Sequence, residues 1–516
     1  MPASLFGLME SPSSVSQGRE GMKMSIGRYS YRVALVALTL LSVTYGTEAR
    51  TYDQTKARGQ SRTAKSSLTQ ADLDTVLSGK PMRLDQALAI AMGSSRALDQ
   101  SIANLDTALG GVGESKSALL PQLSLGAQAA EYDKANVVDL GAMMGGPSLP
   151  LTIANRWNRS VYAGLNWQID LSGAVRSAVS QAEFSALAAR IDVDRVRNRL
   201  AFDVRSGFLQ AVRAHAQIGN AEENLKTAET RLSDAQKYEA VGTAPKFDVV
   251  SAERDVAEAR QALIVAESQE TLSVAALKDV IGIDQATSVS LDDESNLATP
   301  ESTAGATERD ASESGSFAAL VAEGLKYRPE VLESKAAIAA ARHGLQYSRR
   351  SELPTLTAGL GYNYQPDNGA FTLQNSTVAT LTLSVPIFDG GLAKARRKEA
   401  NGALESAESN ARAASDQVKL EIRSASIELL QARSRIAAAE AGLKMAREAY
   451  RIAKERYDVG VSQSSVVSPQ LELSAAQSAL AGASERRIDA LIDYRIAEAA
   501  LDHATGRFAS HQNRPQ

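Results

Sequence analysis

The side chains able to do chemistry are sparse and scattered. The 516-residue chain has four histidines, His215, His343, His503 and His511, and no cysteine. The histidines lack metal-ligand spacing and read as solvated or packing residues. The missing cysteines remove disulfides, thiolate metal sites, a cysteine nucleophile and a lipid-modified cysteine. Gly110-Gly111-Val112-Gly113-Glu114-Ser115-Lys116 hints at a phosphate loop. It lacks the G-x-x-x-x-G-K-[ST] spacing and follows no buried strand, so a weakened helix end accounts for it. With no nucleophile–base signature, the sequence implies no enzyme, no cofactor and no metal. Asp170, beside Gln168 on one face of a strand, either tunes ion selectivity from a lumen or supplies plain water-facing polarity.

A net charge of −4 and the absence of a long Lys/Arg run give no reason to expect nucleic acid. Met22–Ala49 reads as a secretory signal: Lys23, Arg28 and Arg32 precede the eleven-residue apolar run Val33–Val43, and cleavage is expected after Ala49. Residues 1–21 sit in front of this signal, which leaves Met1, Met22 and Met24 as candidate starts. No other apolar run reaches ~18 residues, so an exported form of this chain has only a β-barrel with which to cross a membrane.

The elements that would position any functional residue follow from periodicity. After a polar lead-in (50–83), helical patterning covers 84–118. Strands follow at 119–130 and 160–171, separated by a long Gly/Pro-rich loop at 131–159. In the second strand Val161, Ala163, Leu165, Trp167, Ile169 and Leu171 alternate with Tyr162, Gly164, Asn166, Gln168 and Asp170. One apolar and one polar face fit a barrel wall with lipid on one side and water on the other. Trp167, on the apolar face, is either a membrane-interface anchor or ordinary barrel packing. A helix follows from Gly173 to about 240, then a break at Val241-Gly242 and a return helix over 246–280.

An acidic, Ser/Thr-rich linker (284–316) separates this first unit (84–283) from a second (317–505), and the chain closes on a tail (506–516) expected to be disordered. The second unit repeats the order: helix 317–349, strands 355–364 and 377–386, helix 391–457, break, helix 465–504. Landmarks recur at fixed offsets. Pro121 and Pro354 are 233 residues apart, Gly173 and Gly390 are 217 apart, and Gly242 and Gly460 are 218 apart. The difference lies in the strand–strand loop, which is longer in the first unit. Such a pattern is an internal duplication.

Four strands cannot close a barrel, and open strand edges cannot sit in lipid, so the chain must oligomerise. Helices of about 65 residues span about 100 Å. The turn Pro386-Ile387-Phe388-Asp389-Gly390-Gly391 then reads as a hinge between wall strand and axial helix. Pro386 ends the ladder, and Gly390 and Gly391 supply backbone freedom.

The L-P-x-L strand starts, the P-I-F-D-G-G turn and R-Y-D-V-G before a helix tip resemble the TolC-type outer-membrane efflux family over roughly residues 84–505. That resemblance implies a mainly α fold with membrane β: a homotrimer whose 12-strand β-barrel in outer-membrane lipid continues into a 12-helix periplasmic α-barrel. It implies an exit duct for drugs, metabolites or secreted polypeptides. The implied partners are a periplasmic adaptor and an inner-membrane ABC or proton-driven pump. It also implies a resting latch at the tip. Asp248 and Tyr457, near Gly242 and Gly460, occupy the family's Asp and Tyr positions, whereas the Arg position holds Ser462, for which Lys246 could substitute. The family's constricting aspartates fall on Val466 and Pro469, so weak block by multivalent cations is expected. A pore-less periplasmic adaptor or surface coiled coil is the alternative reading. It lacks a use for four two-faced strands.

Overall fold

The computed structural model describes residues 81–243, 245–291, 313–366, 373–459 and 469–507. The expected signal and lead-in, most of the acidic linker, and Gly460, Ser462 and Val466 lie outside them. Two helices of 67 and 68 residues carry the architecture: α4 (Ala174–Ala240) and α8 (Leu392–Val459). At 1.5 Å per residue each is about 100 Å long. Their return partners are α5 (Lys246–Ile281) and α9 (Pro469–Thr505).

In the half near the tip the helices form one row, α5–α4–α9–α8. Toward the strands, shorter helices take over the places beside the long ones. There α2 (Arg96–Ser117) and α7 (Pro329–Arg350) flank α4, and α7 also packs on α8. Midway, α1 (Leu84–Ser94) packs on α4 and α5, and α6 (Glu313–Tyr327) packs on α8 and α9. The thickest apolar packing is at this level. Phe208, Val204, Val212, Ile90, Leu277 and Ile281 form one buried cluster, and Val331, Val418 and Ile422 another.

Two helices expected to be continuous are each split. Ser95 leaves the helix and accepts a hydrogen bond from the Leu98 amide, capping α2. Arg328 is extended because it precedes Pro329, the first residue of α7. The expected loop at 131–159 holds a small hairpin, β2 (Asn136–Asp139) and β3 (Pro150–Ala154), joined by the short α3 (Leu140–Met144). Asp139 organises it, accepting from the amides of Gly141 (3.0 Å) and Leu149 (2.8 Å) and from the Ser148 hydroxyl. The expected disordered tail begins as structure: Arg507 pairs with Glu323 at 3.1 Å.

The main sheet runs β1–β4–β5–β6, antiparallel throughout: Gln122–Glu131, Trp157–Ile169, Thr355–Tyr364 and Asn375–Ser384. Among the described residues it is open at both edges and closes no barrel. β1 starts later than 119 because the amides of Leu119 and Leu120 turn back to the carbonyls of Lys116 and Ser117. β6 stops at Ser384, opposite Thr355, the first residue of its partner strand. Pro386, without an N–H, lies two residues beyond the ladder.

Candidate functional site

The register fixes which side chains share a face. Leu123 is opposite Leu165, Leu165 opposite Leu360, Ile169 opposite Leu356, and Leu356 opposite Leu383. Trp167 is opposite Ala358, which is opposite Leu381. Since alternate residues project to opposite sides, these large apolar residues lie on one face of all four strands. The other face carries Ser124, Tyr162, Asn166, Gln168, Thr357, Asn363, Thr380 and Thr382, with Gly164 opposite Gly361 and Gln168 opposite Thr357. The Trp167 indole N–H donates to the Leu119 carbonyl (3.0 Å), which fixes the ring at the helix end of the sheet.

Asp170 is placed otherwise than expected. β4 ends at Ile169, and the Asp170 side chain is only 4% exposed. Its two oxygens accept from the amides of Val175 (3.2 Å) and Arg176 (3.1 Å). The first amides of a helix have no partner within it, and a neighbouring carboxylate satisfies them better than an open lumen would. Asp170 is therefore the cap of α4 rather than a free lumen-facing acid. The Ser172 hydroxyl adds a third bond, from Ala174 N at 3.2 Å. In the second unit Asp389 does the equivalent job alone, accepting from Gly391 N (2.9 Å) and Ala393 N (2.6 Å). These backbone amides hold its carboxyl below the usual carboxylate range. Gly173, Gly390 and Gly391 all have positive φ, at +72°, +65° and +92°, so the strand-to-helix turn does use the freedom of glycine in both units.

At the tip, Gly242 turns the chain with φ +76° and exposed Lys246 opens α5. Asp248 is buried, its Oδ1 has no hydrogen-bond partner among the described residues, and burial pushes its carboxyl up. Tyr457 meets Tyr238 edge-on, with ring centroids 6.1 Å apart. Burial, then the proximity of Tyr238, Asp234 and Asp248, pushes its phenol up to about 12. The structure thus gathers the expected Asp and Tyr at the tip. Pro469 begins α9.

A polar seam between α4 and α9 went unnoticed in the sequence. Arg213 pairs with Asp493, Gln217 donates to Asp489 (3.2 Å), and Asn220 donates to the Ala481 carbonyl (3.3 Å). Gln477 donates to Asn224 Oδ1 at 2.8 Å. Nearest the tip, Asp255 accepts from Arg231 (2.5 Å), Arg254 (2.7 Å) and Ser474 (2.6 Å), which ties α4 and α5 to α9. Burial raises the Asp255 carboxyl, but the Ser474 hydroxyl and the two guanidinium groups outweigh it and hold the group below its ordinary value. The seam flanks a groove of about 700 Å³ lined by Gln217, Asn220, Asn224 and Gln477. Within each hairpin the seams are apolar instead: Ala228, Val256 and Ala259 between α4 and α5, and Ile436, Ala490 and Leu491 between α8 and α9. Residues 213, 217, 220, 224 and 231 follow a heptad spacing, the signal that could have revealed the seam.

The histidines take different places. His215 contacts Glu270 (2.7 Å), His343 stacks on Phe184 (5.3 Å), and His503 stacks on Phe202 (5.2 Å). His511 lies outside the described residues.

A family model described as outer membrane efflux protein matches residues 87–283 and 320–507. The pyoverdine export outer membrane protein OpmQ of Pseudomonas putida is 26% identical over 330 residues, covering 62% of this chain and 65% of its own. Protein CyaE of Bordetella pertussis is 26% identical over 328 residues, covering 62% of this chain and 63% of its own. The chain thus spans just under two thirds of the length of these relatives. The outer membrane protein VceC of Vibrio cholerae superimposes with a TM-score of 0.68 at 19% identity, over 82% of this chain and 96% of VceC. At that identity the likeness speaks to the fold alone.

Proposed function

Because the chain belongs to the outer membrane efflux protein family, we propose that three copies form an exit duct from the periplasm through the outer membrane. The observation that carries this reading is a shared incompleteness. Among the described residues the sheet ends in unpaired edges at β1 and β6, and the helix row ends at α5 and α8. Both free helices keep large apolar residues in the open: Val250, Ile264, Val265 and Leu272 on α5, and Leu420, Ile427, Met445 and Ile452 on α8. In three copies, β6 of one meets β1 of the next as α8 meets α5. The twelve strands then leave no edge in lipid, and the twelve long helices enclose a tunnel continuous with the barrel. The apolar sheet face points to lipid and the hydroxyl- and amide-rich face to water.

A duct of this form needs an inner-membrane pump and a periplasmic adaptor to feed it. One relative is named for pyoverdine export, which favours a small exported molecule as cargo, with a secreted polypeptide as the other cargo class for such a duct. Its role is transport rather than catalysis. The test is reconstitution of the purified chain into planar bilayers, with cross-linking to count copies. Heat-modifiable trimers with discrete conductance are expected, and a monomer that stays soluble without detergent would refute the duct. Deleting the gene and comparing secreted proteins with drug susceptibility assigns the cargo.

A further inference from the structure

The helix end of the sheet carries a concentration of cations, most of which the fold itself does not use. Lys394, Arg396, Arg397 and Lys398 crowd the first turns of α8, and Arg349 and Arg350 end α7. Two of the six have structural partners. Arg397 pairs with Glu352 at 2.8 Å, and Arg350 donates to the Ser177 hydroxyl (2.9 Å) and the Gly173 carbonyl (3.2 Å). Lys394, Arg396, Lys398 and Arg349 are exposed, with no ion pair among the described residues. Those at the start of α8 stand where the helix dipole opposes positive charge, so helix stability does not account for them.

A second feature adjoins the first. Ile387 is 95% exposed and Phe388 91% exposed, with Leu171 and Leu392 also open. Ile387 and Phe388 lie three and four residues past the end of β6 at Ser384, so exposed apolar side chains continue beyond the ladder. The free α8 cations lie within about 10 Å of this apolar rim at 1.5 Å per residue, and Lys and Arg stems can lean back across such a distance. Apolar side chains followed directly by unpaired cations match a membrane boundary, where hydrocarbon gives way to phosphate.

We propose that Lys394 and Lys398, one turn apart on one face of α8, with Arg349, form a collar that binds the phosphates of anionic phospholipid headgroups in the leaflet at the helix end of the barrel. This rests on the reading of the sheet as a membrane wall. The collar would hold the barrel at a fixed depth and complement the apolar wedge of Ile387 and Phe388.

The test compares the full-length chain with the double variant Lys394→Gln, Lys398→Gln in vesicles of phosphatidylcholine, with and without phosphatidylglycerol. The readouts are the ratio of phosphatidylglycerol to phosphatidylcholine retained on extraction and the midpoint of trimer heat dissociation. The wild type is expected to enrich phosphatidylglycerol by about five-fold per engaged cation at low salt. The variant is expected to lose that enrichment while keeping its midpoint in phosphatidylcholine alone. Lys394→Arg with Lys398→Arg should retain it. A wild type that inserts without headgroup preference overturns the collar. So does a variant that keeps the preference but changes ion selectivity in single-channel recordings, since the cations would then line the lumen. A variant that fails to trimerise in either lipid also overturns it and assigns the cations to contact between copies. Failure of the wild type to enter either vesicle sinks the membrane wall as well.

Discussion

Replacing Asp255 with alanine is expected to loosen the tip half of the helix row by about 3 kcal/mol. Arg231 and Asp255 are 7% and 9% exposed, and the substitution removes the only ion-pair partner of Arg231 among the described residues and the acceptor of Ser474. Breaking one side of a buried ion pair costs about 3–5 kcal/mol, because the remaining charge stays desolvated. The adjoining groove of about 700 Å³ lets water approach the released guanidinium, which favours the lower figure. Urea titration of the detergent-solubilised protein, followed by helical circular dichroism, reads the loss as a lowered midpoint. The pairwise term comes from a cycle with Arg231→Met: the double variant should lose far less than the sum of the two singles. An Asp255→Ala midpoint within ~0.5 kcal/mol of wild type, or strict additivity, would refute the buried tie. The sign with pH follows from the depressed carboxyl. The contribution is present above the unfolded value near 3.9 and is lost as pH falls through the lower folded value.

Replacing both Gly390 and Gly391 with valine forces branched side chains into φ of +65° and +92°, and should cut trimer yield before it alters selectivity; normal yield with changed selectivity would count against the hinge. His503 is held below its ordinary value by burial and then by Arg328 and Arg199, which outweigh Glu330 and Glu421. Its folded value is the lower one, so stability is unaffected well above pH ~6.5 and falls below it. His503→Gln should flatten that decline in thermal melts, and an acid decline unchanged in the variant would remove the role of the imidazole. The family resemblance sets Val466 and Pro469 at the positions of its constricting acids, so we propose that multivalent cations added on the tip side block single channels weakly, and strong block would contradict this.

Much of the architecture was legible because it is written in local periodicity. The alternation from Val161 to Ile169 and from Thr377 to Ser384 appears as strands, and the apolar parity falls on one face because register follows side-chain alternation. The splits at Ser95 and Arg328 were also local, carried by a capping serine and a following proline, but helical patterning on both sides masked them. The turn glycines were read from their type, and their positive φ angles bear that reading out. Asp170 was misread because alternation says which way a side chain points while the strand lasts, not where the strand stops. One residue past Ile169, unpartnered helix amides became its nearest donors.

By itself the sequence determined four two-faced strands, two pairs of long helices and their duplication, since each depends on contacts within a few residues. Only the tertiary structure decided that α4 would lie beside α9, and hence that Arg231, Asp255 and Ser474, separated by 24 and 219 positions, would share one carboxylate. The heptad pattern marks a polar stripe on α4 but does not name its neighbour. A hydrogen bond needs donor and acceptor within about 3 Å, and that distance is set by how whole helices pack.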